Sequence, residues 1–407
     1  MVPIGLLEVL ALTLAHLHWL GGVRTDEAKY LLNIPYPHPP LGRFLLHLFE
    51  WLPDPEAFLR MVLATLVVQS MWFIWDIGRD CSHRERMGLC LTWILSAAVF
   101  TQAGTLMMAP ITAVQMLVLL WMESRIHTLP HEKTDRPQVR YAILIALVWL
   151  ASLFTAYQAV LFAPLVWNMV AKLRRSLWET VFYVLGPVVA LVIYTFAHPI
   201  ILATFVIHSG EASSSVLLQL WNVGTSLVIA GSFFGTLAAL VGLYRYSSWG
   251  LRLSAILLFL SFLPSFHSFY TILWTPIILG GVHAWMKAEK TDRLPYQPAL
   301  AAAAVVLIAL TAPWSFSADA RAVSDVINAK AGTGGLVLMR GPFGHEWQYE
   351  NTRSVRSFRD ELLPRANAVV CTKSCRDVTL PGFTLAEKLP KTFTGELWIR
   401  SRGTLPQ

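Results

Sequence analysis

Charged residues are scarce in this chain: Asp, Glu, Lys and Arg make up 14% of it, against roughly 25% in soluble domains. That shortage excludes an ordinary water-soluble globule, and a hydrophobic share of 55% with a mean hydropathy of +0.53 points the same way. The glycine-rich loops that cradle phosphates are missing too. Neither a G-x-G-x-x-G nor a P-loop string occurs, so nucleotide binding of those kinds is not expected. Between residues 141 and 314 the middles of the apolar runs hold no Asp, Glu, Lys or Arg. Coupled transporters use such groups as ion or proton relays, and their lack argues against that class. Internal repeats and low-complexity tracts are also absent.

What is present is a series of apolar runs near 4–22, 57–77, 88–101, 106–122, 141–154, 159–171, 181–197, 220–244, 253–264, 269–286 and 298–314. Read against the roughly 20 residues that cross a bilayer, they predict an all-α polytopic membrane protein of about eleven transmembrane helices. The first run holds Glu8 and has no Lys or Arg before Arg24. It therefore lacks the basic leader of a cleaved signal peptide and is expected to stay as a helix. Sixteen tryptophans suit the aromatic belts at the two interfaces.

Basic residues set the expected orientation. The connections 78–87, 123–140, 172–179, 245–252 and 287–293 together carry fifteen Lys or Arg, whereas the opposite set carries only Arg24, Lys29 and Arg43. Cytoplasmic loops are the basic ones. The N-terminus is therefore expected in the cytoplasm of a plasma (inner) membrane protein, with the loop 23–56 and the C-terminal region outside. The net charge of +7 is spread in this membrane pattern, so no nucleic-acid partner follows from it.

From about residue 315 the composition changes, with 13 Lys or Arg and apolar runs of strand length. Residues 318–331 read as a helix ending at Gly332, and 335–339, 368–371 and 396–399 as short strands. The expected organisation is a membrane domain over 1–314, with a catalytic outer loop at 23–56, and a small extracytoplasmic α/β domain over 315–407. Of the four cysteines, Cys81 and Cys90 fall at the cytoplasmic end of spans and should stay reduced. Cys371 and Cys375 share the outer domain, where a disulfide and two free thiols are both compatible with the spacing.

The most informative stretch is Thr25 to Arg43, TDEAKYLLNIPYPHPPLGR, directly after the first apolar run. Asp26 and Glu27 put two carboxylates at a membrane surface, and four prolines between residues 35 and 40 stiffen the chain that leads to His38. Each has a plain alternative: the carboxylates as solvated helix ends, His38 as the cap of a turn. The stretch resembles the first outer loop of the C-type membrane glycosyltransferases, which include the lipid A aminoarabinose transferases and the protein O-mannosyltransferases. There an Asp-Glu pair is followed by a Tyr-rich segment ending in Lys-Pro-Pro-Leu or His-Pro-Pro-Leu.

The resemblance implies a sugar donor carried on a polyprenyl phosphate, transfer on the outer face, and inversion at the anomeric carbon. The acceptor would be a glycan, a lipid or a protein, with membrane lipid around the chain. Asp26 would be the base or the stabiliser of charge on the sugar ring, with Glu27 as its neighbour or a sugar-hydroxyl ligand. His38 would donate to the donor phosphate. Lys29 and Arg43 are further candidates for that phosphate, although both also suit lipid headgroups. Ser265, His267 and Tyr270 match a basic-x-x-Tyr pattern near the phosphate, and His208 with Glu211 would line the acceptor entrance or simply be solvated. No cofactor is implied beyond a divalent metal ion left open, and no metal ligands are assigned.

Four departures from the family pattern stand out. Only 12 residues separate Asp26 from Pro39, and Pro37 stands where an acid often precedes the Lys or His. Met108 replaces the acid of an Asp-Ala-Pro element, and Ala156 stands in place of a lysine. These losses keep open the alternative of a non-catalytic membrane scaffold or a transporter of lipid-linked sugars.

Overall fold

A computed structural model describes residues 4–32, 34, 39–126, 136–173, 176–199, 201, 215–264, 268–289, 318–331, 335–341, 345–350, 354–371, 375, 378–388 and 395–401. In chain order its helices begin with α1 (Ile4–Gly21), α2 (Thr25–Leu31), α3 (Pro40–His47), α4 (Pro55–Gln69), α5 (Met71–Ile77), α6 (His83–Ile94) and α7 (Ala97–Gln102). They continue with α8 (Met108–Ile126), α9 (Arg136–Thr155), α10 (Ala163–Leu173), α11 (Leu177–Ala197), α12 (Val216–Arg245), α13 (Trp249–Phe262) and α14 (Trp274–Glu289). A C-terminal α/β segment adds α15 (Ala318–Ala331), α16 (Glu346–Tyr349) and the strands β1 (Leu336–Arg340), β2 (Ser354–Ser357), β3 (Ala366–Cys371), β4 (Phe383–Lys388) and β5 (Glu396–Arg400).

The chain divides into two compact units, one of residues 1–16 and 35–312, the other of 17–34 and 313–407. The loop 23–56 is thus shared out, its first part folding with the C-terminal strands.

In the helical unit, five helices among the described residues are long and apolar enough to cross a membrane: Ile4–Gly21, Pro55–Asp80, Pro137–Thr155, Leu177–Ala197 and Val216–Arg245. Other expected runs appear as shorter pieces. The run 88–101 is broken between α6 and α7, while 159–171 and 269–286 begin with 3₁₀ turns, Tyr157–Phe162 and Ser268–Leu273. The run 298–314 lies outside the described residues.

Several polar groups inside these helices are matched within the bundle. Glu8 of α1 accepts from Thr65 Oγ1 at 2.8 Å and from Gln69 Nε2 at 3.2 Å, both on α4, so an acid in an apolar helix has its partners within the bundle. Asp76 accepts from Trp121 Nε1 at 2.6 Å and from Arg125 Nε at 2.7 Å. Helix α12 breaks at Ser232, whose φ of 58° and ψ of 170° lie outside the helical region. The break frees carbonyls that hydroxyls then satisfy: Thr236 donates to Leu227 at 2.8 Å and Ser96 to Ala230 at 2.7 Å.

Helices α12 and α14 approach through glycines. A Cβ at Gly242 would overlap the Gly281 carbonyl, and one at Gly281 would come within 2.6 Å of the Ala239 carbonyl. Such small residues let apolar helices pack by direct backbone contact, which lipid tails cannot supply.

In the other unit a five-stranded sheet runs in the order β2-β1-β3-β5-β4. Strand β1 is parallel to β2 and β3, and β5 is antiparallel to β3 and β4. Alternation along β1 and β3 sends Val337, Met339, Ala368 and Val370 to one face, with Val323 and Ile327 of α15. Leu338, Val369 and Cys371 go to the other, with Leu363, Cys375 and Phe383. Cys371 and Cys375 are joined by a disulfide there, with Cα atoms 5.7 Å apart, a separation ordinary for such bonds.

Candidate active site

Two parts of the proposed site are described, one in each unit, and each is taken separately. Gly22 ends α1 in the left-handed region, at φ 78°, where a residue without Cβ is unstrained. The chain turns there and α2 starts at once. Glu27 is its third residue, and its carboxylate accepts the Arg24 backbone N–H at 2.8 Å. It is buried, 1% exposed, and so serves as half of a capping box. Asp26, one residue earlier, is partly exposed and accepts from Lys29 Nζ at 2.8 Å. Tyr30 is buried, and α2 packs on the short helix α16 of the same unit.

The two neighbouring carboxylates therefore differ in kind. Glu27 is tied to the backbone, whereas Asp26 is paired with the Lys29 amine. Lys29, expected to face a phosphate, has Asp26 as its counter-ion here. His38 lies outside the described residues, as do His267, Ser265, His208 and Glu211.

In the helical unit Pro39 precedes α3 with φ −56° and ψ 155°, and Pro40 opens the helix, where a missing N–H costs nothing. Arg43 is half-buried on that helix. A Cβ at Gly42 would overlap the Met108 thioether. Thus the position at which the family pattern has an acid is filled by a buried sulfur side chain packed on α3. Ala156 is likewise buried, in extended conformation before the 3₁₀ turn Tyr157–Phe162. Tyr270 sits in the turn Ser268–Leu273, stacks on Phe262 with centroids 5.6 Å apart, and accepts from Gln158 Nε2 at 2.7 Å. That bond joins the two 3₁₀ turns, Tyr157–Phe162 and Ser268–Leu273.

One buried pair went unseen in the sequence. Glu56 and Arg60, on the first turns of α4, are linked at 2.9 Å, and Arg60 Nη1 donates to the Gly104 carbonyl at 3.1 Å. Arg60 is fully buried. A buried guanidinium survives only with its partners in place, and Gly104, at φ 90° and close to the Ala15 backbone, supplies one of them. The i,i+4 spacing of Glu56 and Arg60 was the only signal available. Among the described residues no three His, Cys, Asp or Glu side chains gather as a metal site, so no step is built on a metal.

This arrangement of helices and sheet has relatives of known structure. The ArnT of Cupriavidus metallidurans, solved with undecaprenyl phosphate bound, superposes with a TM-score of 0.67 over 98% of both chains at 12% identity. An oligosaccharyltransferase of Archaeoglobus fulgidus, solved with zinc and sulfate, gives 0.52 over 90% of this chain and 68% of the other at 11% identity. The chain thus has the fold of the C-type membrane glycosyltransferases. No family model and no curated protein matches it in sequence.

Proposed function

We propose that the protein is a membrane glycosyltransferase that moves a sugar from a polyprenyl-phosphate donor to an acceptor on the outer face of the membrane. The observation that carries this reading is the full-length likeness to a protein solved with undecaprenyl phosphate. The Asp26-Glu27 and His38-Pro39-Pro40-Leu41 strings add to it. Asp26 is the base toward the acceptor hydroxyl, since it is the carboxylate not committed to capping a helix. Lys29 supplies a cation that the donor phosphate can take over from Asp26, and His38 donates to the same phosphate. Arg43, His267 and Tyr270 complete the phosphate side, while His208 and Glu211 line the acceptor entrance. Attack of the acceptor oxygen on the anomeric carbon, with Asp26 taking the hydroxyl proton and the polyprenyl phosphate leaving from the opposite face, forms one bond as it breaks the other and so inverts that carbon.

The experiment is transfer of radiolabelled sugar from a panel of polyprenyl-phosphate sugars by the purified protein, beside its Asp26→Asn variant. Turnover lost in the variant supports the reading. A second reading, a non-catalytic binder of lipid-linked sugars, is favoured by the buried Met108 and Ala156. It would be chosen if every donor bound and none were consumed.

A further inference from the structure

At the face of the helical unit that carries the basic loops lies a cavity of about 490 Å³, lined by none of the residues of the proposed transfer site. That volume falls within the range of small-ligand sites, roughly 300–1,000 Å³. Its walls are apolar, with Ile74, Leu120, Leu251 and Leu279 among them. Its charged groups come from four separate elements, Glu123 of α8 among them. Arg79 and Asp80 lie in the turn after α5, Lys172 ends α10, and His283 and Lys287 sit one turn apart on α14.

Three cations there face two carboxylates, and the pairs are loose. Lys287 Nζ is 3.3 Å from Asp80, Arg79 Nε 3.6 Å from Asp80, and Lys172 Nζ 3.7 Å from Glu123. Charge-assisted bonds at full strength are shorter, about 2.7–2.9 Å. Glu123 is also held by Asn168 Nδ2 at 2.9 Å, which leaves Lys172 less than a full share of it. His283 lines the same cavity, and its Nε2 is buried without a hydrogen-bond partner. A buried polar atom left so carries an uncompensated desolvation cost.

We infer that this cavity binds the phosphate group of an anionic amphiphile, with Lys172, Lys287, Arg79 and His283 around the phosphate and the apolar chain along Leu120, Leu251 and Leu279. A phosphate monoester has three terminal oxygens, so donors on three elements can each take a separate one, whereas a carboxylate has only two. It also balances the one unmatched positive charge. The apolar wall separates an amphiphile from free phosphate, the other source of the same chemistry. The inference is independent of glycosyl transfer.

The test uses the full chain, stripped of lipid in detergent, and native mass spectrometry with three probes: dioleoylphosphatidic acid, dioleoylglycerol and inorganic phosphate. Phosphatidic acid is expected to bind, and Lys172→Gln/Lys287→Gln to weaken it at least ~10-fold, the scale of one charge-assisted bond. Lys172→Gln alone is expected to give a smaller loss in the same direction. Unliganded melting temperature serves as the check that both variants fold. Equal binding of dioleoylglycerol would overturn the inference by showing a greasy crevice, as would unchanged affinity in the double variant. Inorganic phosphate binding at the same concentration as phosphatidic acid would overturn the amphiphile and leave a site for a soluble phosphate.

Discussion

At the scale of the residue, adjacent carboxylates have been given different work by one hydrogen bond. Because Glu27 holds the Arg24 N–H from a buried position, Glu27→Ala should destabilise the unit that holds the C-terminal sheet by about 1–2 kcal/mol, the cost of a lost cap. Asp26→Asn removes charge without changing shape, so it should leave the melting temperature unchanged and reduce transfer at least ~10²-fold, the scale for a positioned base. The opposite pattern, with Glu27→Ala stable but inactive, would exchange their roles. Elsewhere, burial first and then Glu85 and Asp80 push the Cys81 thiol above its ordinary value of 9.0. A raised thiol pKa means less thiolate at any given pH, and thiolate is the reactive form. Alkylation of Cys81 should thus be slower than that of a free thiol at pH 8 and still rising with pH beyond 9.0. A plateau at lower pH, followed by mass spectrometry of the Cys81 peptide, would contradict the burial seen.

At the scale of the element, what decides is which backbone groups find partners. The closest helix contact, α12 on α14, rests on Gly242 and Gly281. Gly281→Val should therefore cost about 1–3 kcal/mol, the usual penalty for overpacking, read as a lower melting temperature in detergent, whereas Gly186→Val, with open space around its Cβ position, should cost far less. These contacts also mark the limit of the sequence. Apolar runs gave the existence of most helices, since hydropathy survives any packing arrangement. The break at Ser232 was invisible because serine is not a helix breaker, the hydroxyl of Thr236 four residues on looks like any other in a helix, and that of Ser96 lies far away in the chain. Helix α15 was readable as a helix-forming stretch before Gly332, and strands β1, β3 and β5 as short apolar runs between turn residues. By contrast, β2 has a single buried side chain, Val355, and reads as polar loop. In the site, Asp26 and Glu27 were legible as a pair, but not their division of labour, which depends on where α2 begins. The Glu56–Arg60 pair was passed over because solvated i,i+4 pairs look the same in sequence as buried ones.

At the scale of the whole molecule the question is which side of the membrane each end of the helices meets, and two independent chemistries bear on it. Fifteen basic residues against three predict that the connections 78–87 and 123–140 lie in the cytoplasm. The Cys371–Cys375 disulfide belongs in an oxidising compartment, and it lies in the unit that also contains Asp26. Both lines imply that the proposed base meets its acceptor outside the cell's reducing interior. The measurement is labelling with a membrane-impermeant maleimide in chains whose Cys81 and Cys90 are replaced by serine, with one new cysteine introduced by His83→Cys or Ser213→Cys. His83→Cys should react only in inverted vesicles and Ser213→Cys only in intact cells. In the same cells, Cys371 and Cys375 should resist alkylation until a reductant is added. Should His83→Cys react from outside while Cys371 and Cys375 label without reductant, the orientation is reversed. Asp26 would then face the cytoplasm, and transfer at the outer face would have to be abandoned even if the chain still bound a polyprenyl phosphate.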